Sequence, residues 1–140
     1  MALRRDKLDA VISDLVRERA NWTCEHCETE YSHDRRQGLH ASHLWSRANK
    51  SVRWFPDNLF AHCFGCHKKL GGNPVSFHDW ARRQLGDVRF EELRLRANQS
   101  RKYTKADREE MYQHYKKELE RVKRLRRDGA TGYIDFVAYD

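Results

Sequence analysis

Apolar residues recur at intervals of three and four in two stretches near opposite ends of the chain. This interval places apolar side chains on one face of a helix and charged residues on the others. The pattern predicts an amphipathic helix over residues 6–19 and a long helix over residues 104–127, capped by Thr104. The repeating residues are Leu8, Val11, Ile12, Leu15 and Val16 in the first stretch and Met111, Tyr115, Leu119, Val122 and Leu125 in the second.

Shorter patterns in the first half of the chain predict extended structure. Residues 37–46 are expected to form one short strand, and Val52–Phe55 a second. The sequence Pro56-Asp57-Asn58 is typical of a turn that can start a helix, and this helix is expected to continue to about Leu70. The prediction is therefore two strands followed by a helix.

Helical patterns resume after the breaker Gly71-Gly72-Asn73-Pro74, and they predict helices over residues 76–85 and 88–98. The tail alternates polar and apolar residues and is expected to add an edge strand or an intersubunit contact. The elements together predict one α+β domain, residues 1–140. Its parts are the N-terminal helix 6–19, a core over about 20–72, a helical C-terminal extension over 76–127 and the tail 128–140.

Charge and length narrow the class of protein. The 140 residues contain 28 Lys and Arg against 21 Asp and Glu, which gives a net charge of +7. This length suits a single domain, and no apolar run approaches the roughly 18 residues of a membrane span. Asp6 and Asp9 interrupt the place where a signal peptide would need apolar residues, so an intracellular, cytoplasmic location is expected. A basic protein of this kind favours nucleic acid as its partner.

Four cysteines form two Cys-x-x-Cys pairs, Cys24 with Cys27 and Cys63 with Cys66. In a reducing compartment metal binding is favoured over disulfides, and two such pairs predict a structural Zn²⁺ bound by four thiolates. A redox-active site is the alternative, but it needs one pair and a thioredoxin-like βαβ pattern, which the sequence lacks. The four cysteines are therefore predicted to stabilise the fold.

The loop between the two cysteine pairs is unusually long. A simple zinc ribbon has about 15–20 residues between its pairs, whereas 35 residues separate Cys27 from Cys63. This insert carries His40, His43 and Asn58, and His67 directly follows the last cysteine. Histidine suits both a general base near neutral pH and a metal ligand, so these side chains are candidates for chemistry on a phosphodiester.

The segment HASHLWSRANKSVRWFPDNLFAHCFGCHKKLGGNPVSF resembles the HNH (His-Me finger, ββα-metal) nucleases, with His43, Asn58 and His67 as the three named residues. Within that class it is similar to the lambdoid-phage NinG (Rap) recombination endonucleases over roughly residues 22–125. The resemblance implies a zinc-stabilised ββα-metal nuclease domain with added N- and C-terminal helices. It also implies a DNA endonuclease specific for branched recombination intermediates such as D-loops and Holliday junctions, in a bacterial host.

The resemblance also implies a role for each residue. His43 would be the general base that activates water, and Asn58 would brace the loop between the strands. His67 would bind a catalytic Mg²⁺ or Mn²⁺, and the products would carry 5′-phosphate and 3′-hydroxyl ends.

Two positions depart from the family pattern. Ser42 stands where many HNH enzymes have an Asp or His ligand directly before the base, and His67 stands where NinG-like sequences tend to have Asn. His40 is therefore expected either to complete the metal site, to contact the scissile phosphate, or to be a buried structural histidine.

Other polar residues near the predicted site have weaker assignments. Arg47 and Arg53 are candidates for phosphate binding, with plain surface charge as the alternative. His62 is expected at most to contact residues that bind the metal, and not to bind the metal itself. His26 is expected to face solvent, because four thiolates already complete the zinc shell.

Two further hypotheses stay open beside the branch-specific nuclease. One is a nicking or homing-type HNH enzyme that acts on ordinary duplex. The other is a zinc-clamped nucleic-acid-binding module whose nuclease site has decayed. Symmetric cutting of a junction would favour a homodimer, with the long C-terminal helix or the tail as the interface.

Overall fold

The computed structural model describes residues 5–33 and 38–139, which form five helices and a two-stranded sheet. This confirms the predicted α+β class. The elements in chain order are α1 Lys7–Arg19, β1 Leu39–His43, a 3-10 turn Pro56–Asn58, β2 Leu59–Cys63, α2 Phe64–Gly71, α3 Pro74–Leu85, α4 Asp87–Ala97 and α5 Lys105–Arg127.

The two long amphipathic helices begin at capping boxes and pack against each other. Asp6 and Asp9 exchange side-chain and backbone hydrogen bonds at the start of α1, and Thr104 and Asp107 do the same at α5. The apolar stripes of both helices meet in one hydrophobic cluster, which includes Tyr115. Both predicted helices are thus confirmed, and Met111, Tyr115 and Val122 of the α5 stripe are buried, whereas Leu119 and Leu125 are partly exposed. None of the helices in the described part of the chain is long and apolar enough to cross a bilayer.

Strands β1 and β2 form an antiparallel hairpin whose register pairs Leu39 with Cys63 and His43 with Leu59. Alternate residues of a strand point to opposite faces of a sheet. One face packs on the cluster formed with α1 and α5, whereas Phe60 on the other face packs on a second cluster formed with α3 and α4. The hairpin therefore lies between two helical layers.

The predicted second strand and the start of the following helix were wrong. Val52–Phe55 forms consecutive turns, with the Phe55 amide donating to the Val52 carbonyl at 3.1 Å. Val52 and Trp54 are buried in different clusters, whereas residues two apart in a strand would point to the same face. The second strand is Leu59–Cys63, and the helix begins only after Cys63.

The tail packs against the rest of the chain without forming the predicted edge strand within its described residues. The Ile134 amide donates to the Arg19 carbonyl at 3.0 Å, and Phe136 is buried in the α1–α5 cluster. The Arg19 guanidinium is buried and donates to the carbonyls of Pro56 and Leu59, so this corner joins α1 to the start of β2.

Candidate functional site

The two Cys-x-x-Cys pairs lie on tight turns that face each other. In the first turn the Cys27 amide points at the Cys24 sulfur at 3.5 Å. In the second turn Cys63 is the N-cap of α2, and its sulfur accepts from the Cys66 amide at 3.5 Å. Each turn therefore presents two sulfurs on the same side.

The four sulfurs form one cluster of a size that suits a metal ion. They lie within 4.8 Å of one another, and the sulfurs of Cys27 and Cys63 are 3.7 Å apart. Sulfurs of a tetrahedral zinc site, at about 2.3 Å from the ion, lie about 3.8 Å from one another. All four cysteines are free thiols, so their arrangement is that of a structural metal site and not of a disulfide pair.

The environment of the thiols favours a bound cation. Burial, followed by hydrogen bonding with the neighbouring thiol of Cys63, raises the pKa of the Cys66 thiol. The Thr29 hydroxyl beside Cys27 lowers the pKa of that thiol to about 6. Crowded thiolates repel one another, and a divalent ion removes this cost because it binds the deprotonated form.

His26 does not face solvent, which corrects the prediction made for it. The ring is half-buried, and Nδ1 lies 3.4 Å from the Cys66 sulfur. The ring also packs against His62 and Trp80, with centroid separations of 6.4 and 5.8 Å. His26 therefore links the metal cluster to the aromatic core beneath α3.

A cleft of about 240 Å³ runs along β1, between α1 and α2. It brings together four of the residues predicted for the site, namely His40, His43, Arg47 and His67, and Asn58 and Arg53 are not among its lining residues. Arg5 and Arg17 of the N-terminal segment add positive charge, which suits an anionic ligand. The complete lining is Arg5, Asp9, Ser13, Arg17, His40, Ala41, His43, Arg47 and His67.

His43 is held as a neutral imidazole at the wall of this cleft. Burial lowers its pKa to about 4, even though the hydrogen bond to the Arg53 carbonyl favours the charged form. Nε2 lies 3.1 Å from that carbonyl oxygen, which only accepts hydrogen bonds, so Nε2 carries the single ring proton. The lone pair is therefore on Nδ1 and is available to accept a proton at neutral pH.

Asn58 closes the loop that carries Arg53. The side chain is completely buried; its Oδ1 accepts from the Trp45 amide at 2.8 Å, and its Nδ2 donates to the carbonyls of Trp45 and Val52. Because one amide group ties together both ends of this loop, it fixes the position of the Arg53 carbonyl and, through it, the ring of His43. This geometry is compatible with the bracing role that the resemblance implies for Asn58.

Arg53 is buried and paired with Asp9, which corrects its prediction as a phosphate contact. Nε and Nη2 donate to the two Asp9 oxygens at 3.0 and 2.5 Å. Burial alone would raise the pKa of Asp9, but the hydrogen bonds led by that from Arg53 outweigh it and lower the value to about 2. Trp54 Nε1 also donates to Asp9, at 2.9 Å. Arg47 is partly exposed, 3.4 Å from the same carboxylate, and remains available to a ligand.

Sequence reasoning missed Asp9 as a functional residue. Its sequence context indicates a helix cap, and that role is real, because its side chain accepts from the Asp6 amide. Nothing in the local pattern connects it to a loop 44 residues later. The buried partners Arg53 and Trp54 are what make it the link between α1 and the His43 segment.

Three histidines and one serine form a connected group at the α2 side of the cleft. Ser42 is buried, and its Oγ lies 2.6 Å from Nδ1 of His67 and 2.9 Å from Nδ1 of His62. The ring of His40 is stacked on that of His67, with centroids 5.3 Å apart and planes at 12°. Burial lowers the pKa of His67 as well, so its imidazole is favoured in the neutral form that binds metals.

Comparison with known proteins identifies a family for this chain. The family model described as bacteriophage Lambda NinG protein matches residues 4–127, most of the sequence. No curated protein and no solved structure matches the chain.

Proposed function

The chain belongs to the bacteriophage lambda NinG protein family, and on this premise we propose that it is a metal-dependent DNA endonuclease of the HNH type. The observation that carries the proposal is the state of His43, a neutral imidazole with its proton fixed on Nε2 at the wall of a positively charged cleft. A general base must be unprotonated at neutral pH, and the ring of His43 meets this condition.

The residues in the cleft and directly behind it have separate roles in phosphodiester hydrolysis. Nδ1 of His43 takes a proton from the attacking water as the water oxygen bonds to phosphorus and the bond from phosphorus to the 3′-oxygen breaks; solvent protonates the 3′-oxygen. The Arg53 carbonyl stabilises the resulting imidazolium by accepting from Nε2–H. Arg47 and Arg5 bind the phosphate and offset its charge. Asn58 keeps the loop behind His43 in place while the ring changes its charge.

Two imidazoles of the cleft could contribute nitrogen ligands to a divalent ion. His67 would hold it, and His40 is the neighbouring imidazole that would join or contact the phosphate. A bound ion would neutralise charge on the phosphate and the leaving oxygen. Because imidazole suits Mn²⁺ better than Mg²⁺, we expect Mn²⁺ to support the higher activity.

We further propose a branched substrate within a phage-infected bacterial cell. The support is family membership, which indicates a recombination-related phage protein. A nicking or homing-type enzyme on ordinary duplex is the alternative within the same chemistry, and a homodimer is expected only if junctions are cut symmetrically.

One observation favours a binding module without activity. Ser42 Oγ is engaged by His62 and His67, and the Asp9 carboxylate is engaged by Arg53, so neither oxygen ligand is free for a catalytic ion. In that case the cleft would bind DNA phosphate without hydrolysing it.

The test compares the wild type, His43→Ala and His33→Ala on a four-way junction, a nicked duplex and a linear duplex. His33 is exposed and does not line the cleft, so it is the matched control. We expect the wild type and His33→Ala to cut only when Mn²⁺ or Mg²⁺ is added, and His43→Ala to lose at least 100-fold in rate, roughly the contribution of a general base. Equal rates on all three substrates would refute branch specificity, and binding without cleavage by the wild type would establish the inactive module.

A further inference from the structure

The Ser42 hydroxyl lies between two imidazole rings that belong to different elements. One is His67 on α2, which lines the cleft, and the other is His62 on β2, which is completely buried. Both contacts go to Nδ1, at 2.6 Å and 2.9 Å. Ser42 is itself only 1% exposed, so water has almost no access to the hydroxyl between the two rings.

A count of protons limits what the two rings can do. The hydroxyl donates one hydrogen bond and accepts others, and a neutral imidazole has one N–H and one lone pair. If the serine proton is used between the rings, then one Nδ1 donates to Ser42 and the other accepts from it. The tautomers of His62 and His67 are therefore coupled through a single oxygen atom.

The surroundings of His62 determine which ring donates to Ser42 and which accepts from it. No described group within hydrogen-bond reach pairs with its Nε2, and the ring is enclosed by Phe60, Phe77 and Trp80 at centroid distances of 6.1, 5.6 and 4.9 Å. An aromatic face accepts an N–H weakly and repels a lone pair. The ring proton of His62 is therefore more stable on Nε2, which leaves its Nδ1 to accept from Ser42.

We propose that Ser42 is a positioning residue, which accepts from Nδ1–H of His67 and donates to Nδ1 of His62, and so keeps the Nε2 lone pair of His67 available to a metal ion. This inference rests on the proposed function, because it concerns the same cleft. It also gives buried His62 a role, which is to accept the hydrogen bond from the serine hydroxyl. The stacking of His40 on His67 restrains the same ring from its face.

The direct test is the tautomer of each ring, read by long-range ¹H–¹⁵N correlation in the zinc-loaded protein without added Mg²⁺ or Mn²⁺. Spectra of His67→Asn and His62→Gln assign the two rings. We expect His67 to be protonated on Nδ1 and His62 on Nε2. A wild-type spectrum with His67 protonated on Nε2 overturns the proposal, and this measurement requires no substitution of the serine.

Substitution then isolates the role of the hydroxyl. Ser42→Ala is expected to move the proton of His67 largely to Nε2 and to weaken Mn²⁺ binding about tenfold, as measured by electron paramagnetic resonance of free Mn²⁺. Ser51→Ala is the matched control, because Ser51 is also buried and hydrogen-bonded, to Asn49, but lies outside the cleft. An unchanged His67 tautomer in Ser42→Ala contradicts the proposal.

Neither readout depends on DNA cleavage, so the two proposals fail separately. A correct tautomer in an inactive wild-type protein would count against the nuclease alone. An active nuclease with His67 protonated on Nε2 would count against the role of Ser42 alone.

Discussion

The guanidinium of Arg53 and the carboxylate of Asp9 form a two-point salt bridge in the interior, with Nη2 and Oδ2 2.5 Å apart and both side chains at most 7% exposed. The same Arg53 contributes the backbone carbonyl that holds Nε2 of His43. The ion pair therefore ties α1 to the segment that orients the candidate general base.

Asp9→Asn is expected to destabilise the fold by about 3–5 kcal/mol, because it leaves the Arg53 charge buried without its partner. Urea denaturation would measure the change in the free energy of unfolding. Glu109→Gln is the matched control, since it breaks an exposed pair with Lys7 that water and salt screen. An equal decrease in the free energy of unfolding in the two variants would mean that the buried Asp9 pair contributes no more to stability than an exposed pair.

Acid is expected to destabilise the protein partly through His43. Its pKa falls from the ordinary 6.5 to about 4 on folding, so the unfolded chain binds more protons between those values. The stability that comes from the neutral ring is therefore complete above about pH 6.5 and is lost as the pH falls towards 4. Urea midpoints for the wild type and His43→Gln from pH 7.5 to 4 should converge in this window. His33→Gln is the control and should follow the wild type; parallel curves for His43→Gln would disprove the pKa shift.

Asn58→Ala should cost about 2–4 kcal/mol, because it leaves the Trp45 amide and two carbonyls without their partner in a buried loop. We also expect it to lower cleavage, since the loop no longer fixes the Arg53 carbonyl behind His43. Thermal unfolding and a junction-cleavage assay would measure the two effects. Asn98→Ala, at an exposed helix end, serves as the comparison, and a stable Asn58→Ala protein would remove the bracing role.

Cys63→Ser is expected to prevent folding, because Cys63 both contributes a thiolate and caps α2. Circular dichroism and a zinc assay on the purified proteins should show one Zn²⁺ per chain in the wild type and an unfolded, zinc-free variant. Phe64→Ala changes the adjacent, 65% exposed residue and should retain both zinc and fold. A folded, zinc-free Cys63→Ser protein is the result that would falsify the four-thiolate site.

Arg47→Ala should weaken DNA binding and reduce the slope of log affinity against log salt by about one, the value expected for one lost phosphate contact. Fluorescence anisotropy at several salt concentrations would measure it. Arg83→Ala is the control, because Arg83 is an exposed arginine on α3 that does not line the cleft. An unchanged salt slope in Arg47→Ala would exclude a phosphate contact there.

Local pattern was enough to predict the two long helices and the chemistry of the cysteines. The apolar period of α1 and α5 predicted both helices, and Thr104 predicted where the second one starts. The two Cys-x-x-Cys turns predicted a four-sulfur cluster because each turn fixes its own pair of sulfurs. These features depend on residues that are close in sequence.

The segment after β1 shows where local pattern failed. Val52 and Trp54 flank a charged residue, as the buried residues of a strand often do, yet they are buried in two different clusters from a run of turns. In a strand these two residues would point to the same face, so the apolar–charged–apolar pattern here did not report a strand.

What the sequence by itself determined is the class of fold, the long helices, the metal cluster and a short set of candidate side chains, His40, His43, Asn58 and His67. The tertiary structure decided which of their neighbours take part: Asp9 pairs with Arg53, Ser42 joins His62 to His67, and Arg47 rather than Arg53 is left for a ligand. The physical reason is burial. An arginine or serine that is exposed to water can bind a ligand, whereas one that is buried must pair with another group of the protein. Which of the two applies depends on side chains that are distant in sequence, and only packing brings those side chains together.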